Sequence, residues 1–238
     1  MRPPGRCPAE MDLNVREVAR LLDLSESEVY RQVREGTLPA YRVHEQYLFN
    51  RVEILEWAAR HSHRVAPDLY PAGGAGLQLA AALARGGVHH AVPGETREQV
   101  LAAVTRLPGI PESVDRALLL QLMLSREALA STGIGDGIAL PHPRDPLVFP
   151  SDGPVILLCF LERPVEFAAI DQQQVRTLFT LLSPSIRLHL ATLARLSYCI
   201  HDAMFRQLLA DRAPADAILS HVRLLDGEVA TSRPPARP

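Results

Sequence analysis

The chain reads as an α/β protein: a sandwich in which helices cover a mixed sheet, preceded by a small helical module with a hairpin. Three observations predict this. Two runs of strand length, 154–161 and 175–182, are apolar on both faces, so a sheet built from them needs helices on both sides. The last third of the chain supplies such helices at 186–200, 203–209 and 214–225. The first sixty residues instead show two short capped helices joined by a tight turn, with a hairpin behind them.

Taken in order, residues 1–10 are Pro-rich and read as a disordered N-terminus. Asn14-Val15-Arg16-Glu17 is a capping box that opens a first helix, with Val18, Leu21 and Leu22 on its apolar face. Ser25-Glu26-Ser27-Glu28 opens a second helix the same way, which Gly36 closes and Pro39 forbids to continue. Tyr41-Arg42-Val43 and Tyr47-Leu48-Phe49 flank a His44-Glu45-Gln46 turn and predict a hairpin or wing. Asn50 caps a third helix through Trp57. This module spans 11–62, and 63–75 is a Pro/Gly-containing linker. His61 and His63 have no cysteine or carboxylate partner at ligand spacing and read as solvated.

The second domain spans 76–228, with 229–238 as a disordered tail. It opens with a helix over 77–83 that Gly86-Gly87 ends, then a strand at 88–92. His89 and His90 alternate across that strand, so one is buried and the other exposed. Helices follow at 97–107 and, with a break, at 112–130. No internal repeat is evident.

Composition excludes several chemistries. All 25 basic residues are arginine, so a G-x-x-x-x-G-K phosphate loop, a pyridoxal-phosphate Schiff base and a kinase strand lysine are impossible. A net charge of −2 argues against broad, non-specific nucleic-acid binding, while a local basic face stays open. No run approaches the roughly 20 apolar residues of a membrane span, and the N-terminus lacks a signal-peptide core. Cys7, Cys159 and Cys199 are far apart and odd in number, which points to reduced thiols in a cytoplasm.

The chemistry-bearing stretch is 125–144, Ser-Arg-Glu-Ala-Leu-Ala-Ser-Thr-Gly-Ile-Gly-Asp-Gly-Ile-Ala-Leu-Pro-His-Pro-Arg. An arginine-bearing helix end runs into a glycine-punctuated turn, whose glycines let the backbone take positive φ and approach a ligand. Ile138-Ala139-Leu140 then predicts a brief buried strand that delivers His142, held between Pro141 and Pro143, to a loop.

This stretch resembles the active-site signature of enzyme IIA domains of the phosphoenolpyruvate-dependent sugar phosphotransferase system, in the fructose/mannitol and nitrogen-regulatory (type 2) branch. The likeness covers roughly 76–226, since Val165 to Asp171 and Leu181-Leu182-Ser183-Pro184 resemble later blocks of the family. It implies the type-2 α/β sandwich and a phosphoryl group carried on His142. Arg126 would stabilise that group, and His189 matches the second family histidine, packed near the first. Thr132 and Arg144 are further candidate phosphate contacts. Many relatives place glycine after the active histidine; Pro143 here has no N–H to offer, so either Arg144 compensates or phosphate binds less well. The resemblance implies the phosphocarrier HPr, or its nitrogen-branch paralogue, as donor. No cofactor and no metal are implied, because a hydrolase built on His142 and His189 lacks a carboxylate cluster.

Residues 11–60 resemble the excisionase-like winged helix-turn-helix, most specifically at Tyr30-Arg31 and Glu35–Val43. Arg31, Arg34 and wing residue Arg42 are the candidate DNA contacts. Residues 12–60 hold seven arginines against nine acidic groups, so protein docking or dimerisation stands beside DNA binding as the module's role. The expected function is a regulator in which the phosphorylation state of His142 alters DNA or partner binding. The alternative is a binding protein whose IIA fold is never phosphorylated.

Overall fold

The computed structural model describes residues 13–43, 46–60, 77–143, 147, 149–169 and 171–231. The expectations for 1–10, the 63–75 linker, His61, His63, the His44-Glu45 turn tip, Arg144 and the end of the tail lie outside them.

The N-terminal part is built from β1 (Leu13–Asn14), α1 (Val15–Leu21), α2 (Glu26–Arg34), β2 (Tyr41–Val43), β3 (Gln46–Phe49) and α3 (Arg51–Arg60). Asn14 and Glu17 form the full reciprocal box at the start of α1. The second box is only half made. Ser25 accepts from the Glu28 N–H, while the Glu28 carboxylate turns forward to Arg31 and Gln32. Gly36 follows α2 at φ 72°. The strands form an antiparallel sheet in the order β1-β3-β2. β1, two residues long, is too short to leave a periodic signal. α3 runs one turn past Trp57, whose indole N–H donates to the Thr37 carbonyl at 2.7 Å.

The larger part begins with α4 (Leu79–Gly86), β4 (Val88–Val92), α5 (Arg97–Val104) and α6 (Arg116–Leu129). It continues with β5 (Gly133–Gly135), β6 (Ile138–Ala139), β7 (Val155–Val165) and β8 (Val175–Leu182). It ends with α7 (Ile186–Ile200), α8 (Ala203–Ala210) and α9 (Ala215–Thr231). Five strands form one mixed sheet in the order β4-β7-β8-β6-β5, with β4·β7 and β6·β8 parallel and β7·β8 and β5·β6 antiparallel.

The two central strands carry the core on both faces. Ile156, Leu158 and Phe160 of β7 pack under α4, α7, α8 and α9. Val155, Leu157, Cys159 and Leu161 face α5 and α6. This alternation of buried side chains is the physical content of an apolar run without a polar face. Gly86 lets α4 lie directly on β7, since a Cβ there would stand 2.2 Å from the Ile156 carbonyl oxygen.

Several elements differ in extent from expectation. α5 stops at Val104 and α6 starts at Arg116, because the Asp115 carboxylate accepts from Ala117 and Leu118 and sets a new helix start. β7 runs four residues beyond Leu161, with a register shift against β8 between Phe160 and Val165. α9 continues to Thr231, past the expected helix end at 225 and into the tail expected to be disordered from 229. Asp226 holds its last turns by accepting from Leu79 N–H, Ala80 N–H and Arg195. On β4, His89 is half-buried against the Gly86 carbonyl and His90 is exposed. Among the described residues, no helix is long and apolar enough to cross a membrane.

Candidate functional site

The site starts at the last turn of α6. Arg126 and Glu127 both point inward there and are buried. Arg126 Nη1 donates to the Ala130 carbonyl at 2.8 Å, across the point where the backbone leaves the helix. The Glu127 carboxylate accepts the Thr132 N–H at 3.0 Å and the Thr132 hydroxyl at 2.6 Å. Arg97 of α5 stands 3.6 Å from it. One buried acid therefore ties the entry of β5 to two helices.

The hairpin β5–β6 follows. The glycine-rich stretch, expected to be a turn, is itself partly strand: β5 pairs with β6 around a tip of three left-handed residues. These are Gly135 (φ 99°), Asp136 (φ 52°) and Gly137 (φ 71°). Asp171 closes the tip, its Oδ2 accepting the Asp136 N–H at 2.9 Å and lying where a Cβ on Gly135 would crowd it. Ser131 spans the base, donating to the Phe167 carbonyl and accepting from the Gly133 N–H.

β6 threads between β5 and β8, so the chain after it is held on both sides. The Leu140 N–H reaches the Thr132 carbonyl at 3.0 Å, and the Pro141 carbonyl accepts the Leu181 N–H at 3.1 Å. His142 comes next. Its Nδ1 lies 2.6 Å from the Leu140 carbonyl oxygen. A carbonyl only accepts, so Nδ1 carries the proton and the lone pair of a neutral ring sits on Nε2.

His189 arrives from the first turn of α7, which Ser185 caps by accepting the Leu188 N–H. The two imidazoles face each other with centroids 5.0 Å apart and planes tilted by 46°. Their relative exposures are 2% for His142 and 3% for His189. Ser183, just past β8, is buried too, and its Oγ has no hydrogen-bond partner among the described residues.

A model of the family "Phosphoenolpyruvate-dependent sugar phosphotransferase system, EIIA 2" matches residues 85–223, more than half of the chain. The chain belongs to this EIIA 2 family. A second model, "Helix-turn-helix domain", matches residues 13–62. The EIIA 2 part is 33% identical over 131 residues to a "Nitrogen regulatory protein" of Pseudomonas aeruginosa, spanning 53% of this chain and 82% of that relative. The protein of the same name from Escherichia coli is 34% identical over 128 residues, covering 53% of this chain and 77% of its own length. Among solved structures, nitrogen regulatory protein IIA-Ntr of Neisseria meningitidis aligns at a TM-score of 0.50 and 25% identity. It covers 64% of this chain and 99% of that one. The chain thus joins a nitrogen-regulatory-type EIIA 2 domain to a helix-turn-helix domain.

Of the residues singled out in the sequence, His142 and His189 form a ring pair. Arg126 and Thr132 lie at the helix end that opens the hairpin, and both donors of Thr132 go to Glu127. In the helix-turn-helix, Arg34 and Arg42 are exposed. Arg31 is exposed as well but lies 2.5 Å from Glu28 and 3.3 Å from Glu35. The hydrogen bond and charge of Glu28 raise its pKa above the ordinary arginine value. Glu127, Asp171 and Ser183 were not singled out from the sequence, though each lies within a stretch that resembles the family. For Glu127 a signal existed, since it sits beside Arg126 in the signature. Asp171 reaches the hairpin tip only through the fold. Among the described residues no group of three or more His, Cys, Asp or Glu could hold a metal ion.

Proposed function

We propose that His142 Nε2 accepts a phosphoryl group from the phosphohistidine of HPr or its nitrogen-branch paralogue, and that the helix-turn-helix domain relays this state to DNA or a regulated partner protein. The observation that carries the reading is the Nδ1–H bond from His142 to the Leu140 carbonyl at the mouth of the glycine hairpin. As the Nε2 lone pair forms the new P–N bond and the donor's P–N bond breaks, positive charge builds on the acceptor ring. The Leu140 oxygen, 2.6 Å from Nδ1, stabilises that charge without a proton having to move.

Arg126 supplies N–H donors to the equatorial oxygens, and His189, whose ring faces that of His142, donates to one of them or orients the acceptor ring. A contact from Thr132 requires its hydroxyl proton to leave Glu127. Arg144 stands in for the N–H that Pro143 lacks. In the helix-turn-helix, Arg34 and Arg42 make the phosphate contacts, and Arg31 joins them once it leaves Glu28 and Glu35. The whole reaction is cytoplasmic, where its donor works. The domain limits proposed for it are 11–62 and 76–228, joined by 63–75.

Intact-mass spectrometry at alkaline pH, after incubation with phosphoenolpyruvate, enzyme I and HPr, tests the reading. The expected result is one acid-labile gain of about 80 Da that is absent in His142→Ala. Label persisting on that variant rejects the assignment. Two observations favour a second reading, a binding domain that is never phosphorylated: Pro143 has no N–H, and His142 is 2% exposed. No mass gain with a competent donor selects it. For the DNA limb, Arg42→Ala weakens binding about equally across sequences and lowers the log–log salt slope by about 1, read in gel-shift titrations. An absent salt-sensitive shift for wild type removes DNA from the proposal.

A further inference from the structure

We infer that the helix-turn-helix domain is the occupant of the surface over the histidine pair, docked there by α3, and that it must lift away before a donor can reach His142. This rests on the phosphoryl-acceptor reading above. α3 lies against two elements of the EIIA 2 domain, α7 and β5. Those are the helix that carries His189 and the first strand of the glycine hairpin. α7 divides its apolar side chains between two neighbours. Leu193, Leu196, Cys199 and Ile200 belong to the cluster on the sheet. Leu190 and Ala194, one helical turn apart, belong instead to the helix-turn-helix cluster with Ile54, Leu55, Trp57 and Ala58 of α3. His189 precedes Leu190 directly, so the docked face begins at the residue beside the site.

The consequence is steric. In-line transfer needs the phosphorus within about 3–3.5 Å of Nε2 on an unobstructed line, and the donor histidine is itself carried by a protein. With His142 2% and His189 3% exposed, the docked chain admits no such approach. The second consequence is electrostatic. A phosphoryl group adds one to two negative charges beside the apolar contact of α3 with Leu190 and Ala194, which disfavours the docked arrangement. Docking opposes phosphorylation, and phosphorylation opposes docking by the same factor. The exposed side chains of Tyr30, Arg34 and Arg42 stay outside the docked face. The state of His142 therefore changes how the helix-turn-helix is held and leaves its exposed side chains unchanged.

The test uses the full chain and two variants of the docked stripe, Leu190→Ala and Ala194→Arg, each checked for native fold by circular dichroism and thermal unfolding. Accessibility is read without any phosphoryl donor, as the rate of diethyl pyrocarbonate modification of His142 and His189 by peptide mass spectrometry. Phosphoryl acceptance from phosphorylated HPr is read separately. Loosened docking raises modification of both histidines by about tenfold or more and speeds acceptance. Modification at the wild-type rate in the folded variants overturns the docking inference. Should the arginine variant not fold, the alanine variant decides alone. Faster modification with no phosphoryl gain in wild type or variant leaves docking standing and rejects the acceptor reading instead.

Discussion

Glu127, next to Arg126 in the signature, holds the entry to the glycine hairpin. Its buried carboxylate accepts two hydrogen bonds from buried Thr132 and lies 3.6 Å from the half-buried Arg97. Truncation would leave the buried Thr132 N–H and hydroxyl without their acceptor, and buried donors left that way cost about 1–3 kcal/mol each. Glu127→Ala should therefore lower Tm by roughly 5–10 °C in a thermal melt, with Glu127→Gln recovering part because it keeps one acceptor oxygen. An unchanged Tm would mean that the hairpin is held elsewhere. His142 was legible because two prolines and three glycines around one histidine is a dense local signal. Its tautomer was not, because the Leu140 carbonyl faces Nδ1 only once β6 is seated between its neighbours.

At the scale of elements, caps and apolar runs could be read directly. The Asn14 box, β8 and α7 lie where local chemistry put them. β1 and β5 could not be read, since strands of two and three residues have no period and exist only through their partners. One inter-helix link carries a pH prediction. Asp202, the cap of α8, lies 2.6 Å from His221 Nε2 on α9. Burial pushes the Asp202 carboxyl up, but the His221 hydrogen bond, the Phe205 N–H and the His221 charge outweigh it and hold the group below its ordinary value. A depressed carboxylate stabilises the fold fully above its unfolded-state pKa, near 3.9, and that contribution is lost as pH falls through the lower folded value. Asp202→Asn should flatten the acid limb of stability below about pH 4 in urea titrations. An acid limb identical to that of wild type would show that the pair contributes nothing.

The whole molecule is organised by cores on both faces of one sheet, with the helix-turn-helix core closed by two residues of α7. Cys159 lies in the middle of β7 and Cys199 near the end of α7, and burial pushes both thiols up to about 12. Both are free cysteines. Alkylation at pH 8 should be slow at these two positions in the folded chain and fast in denaturant, followed by peptide mass spectrometry. Labelling of folded protein at the denatured rate would show that the sheet opens readily. Loosening the α3 contact, by contrast, should expose histidines and leave these thiols protected, which separates local undocking from global unfolding.

The sequence by itself determined the family, the two-part composition, the long strands and helices, and the identity of the histidines. Each of these rests on local order: runs, caps, spacing and a signature within one stretch of chain. Tertiary structure decided what lies far apart along the chain. It brought His189 to within 5.0 Å of His142, centroid to centroid. It set Asp171 at the hairpin tip and laid α3 over the elements that carry the site. Apolar contacts are non-directional and a pattern says only which face is buried, so the choice of what covers that face belongs to the assembled molecule.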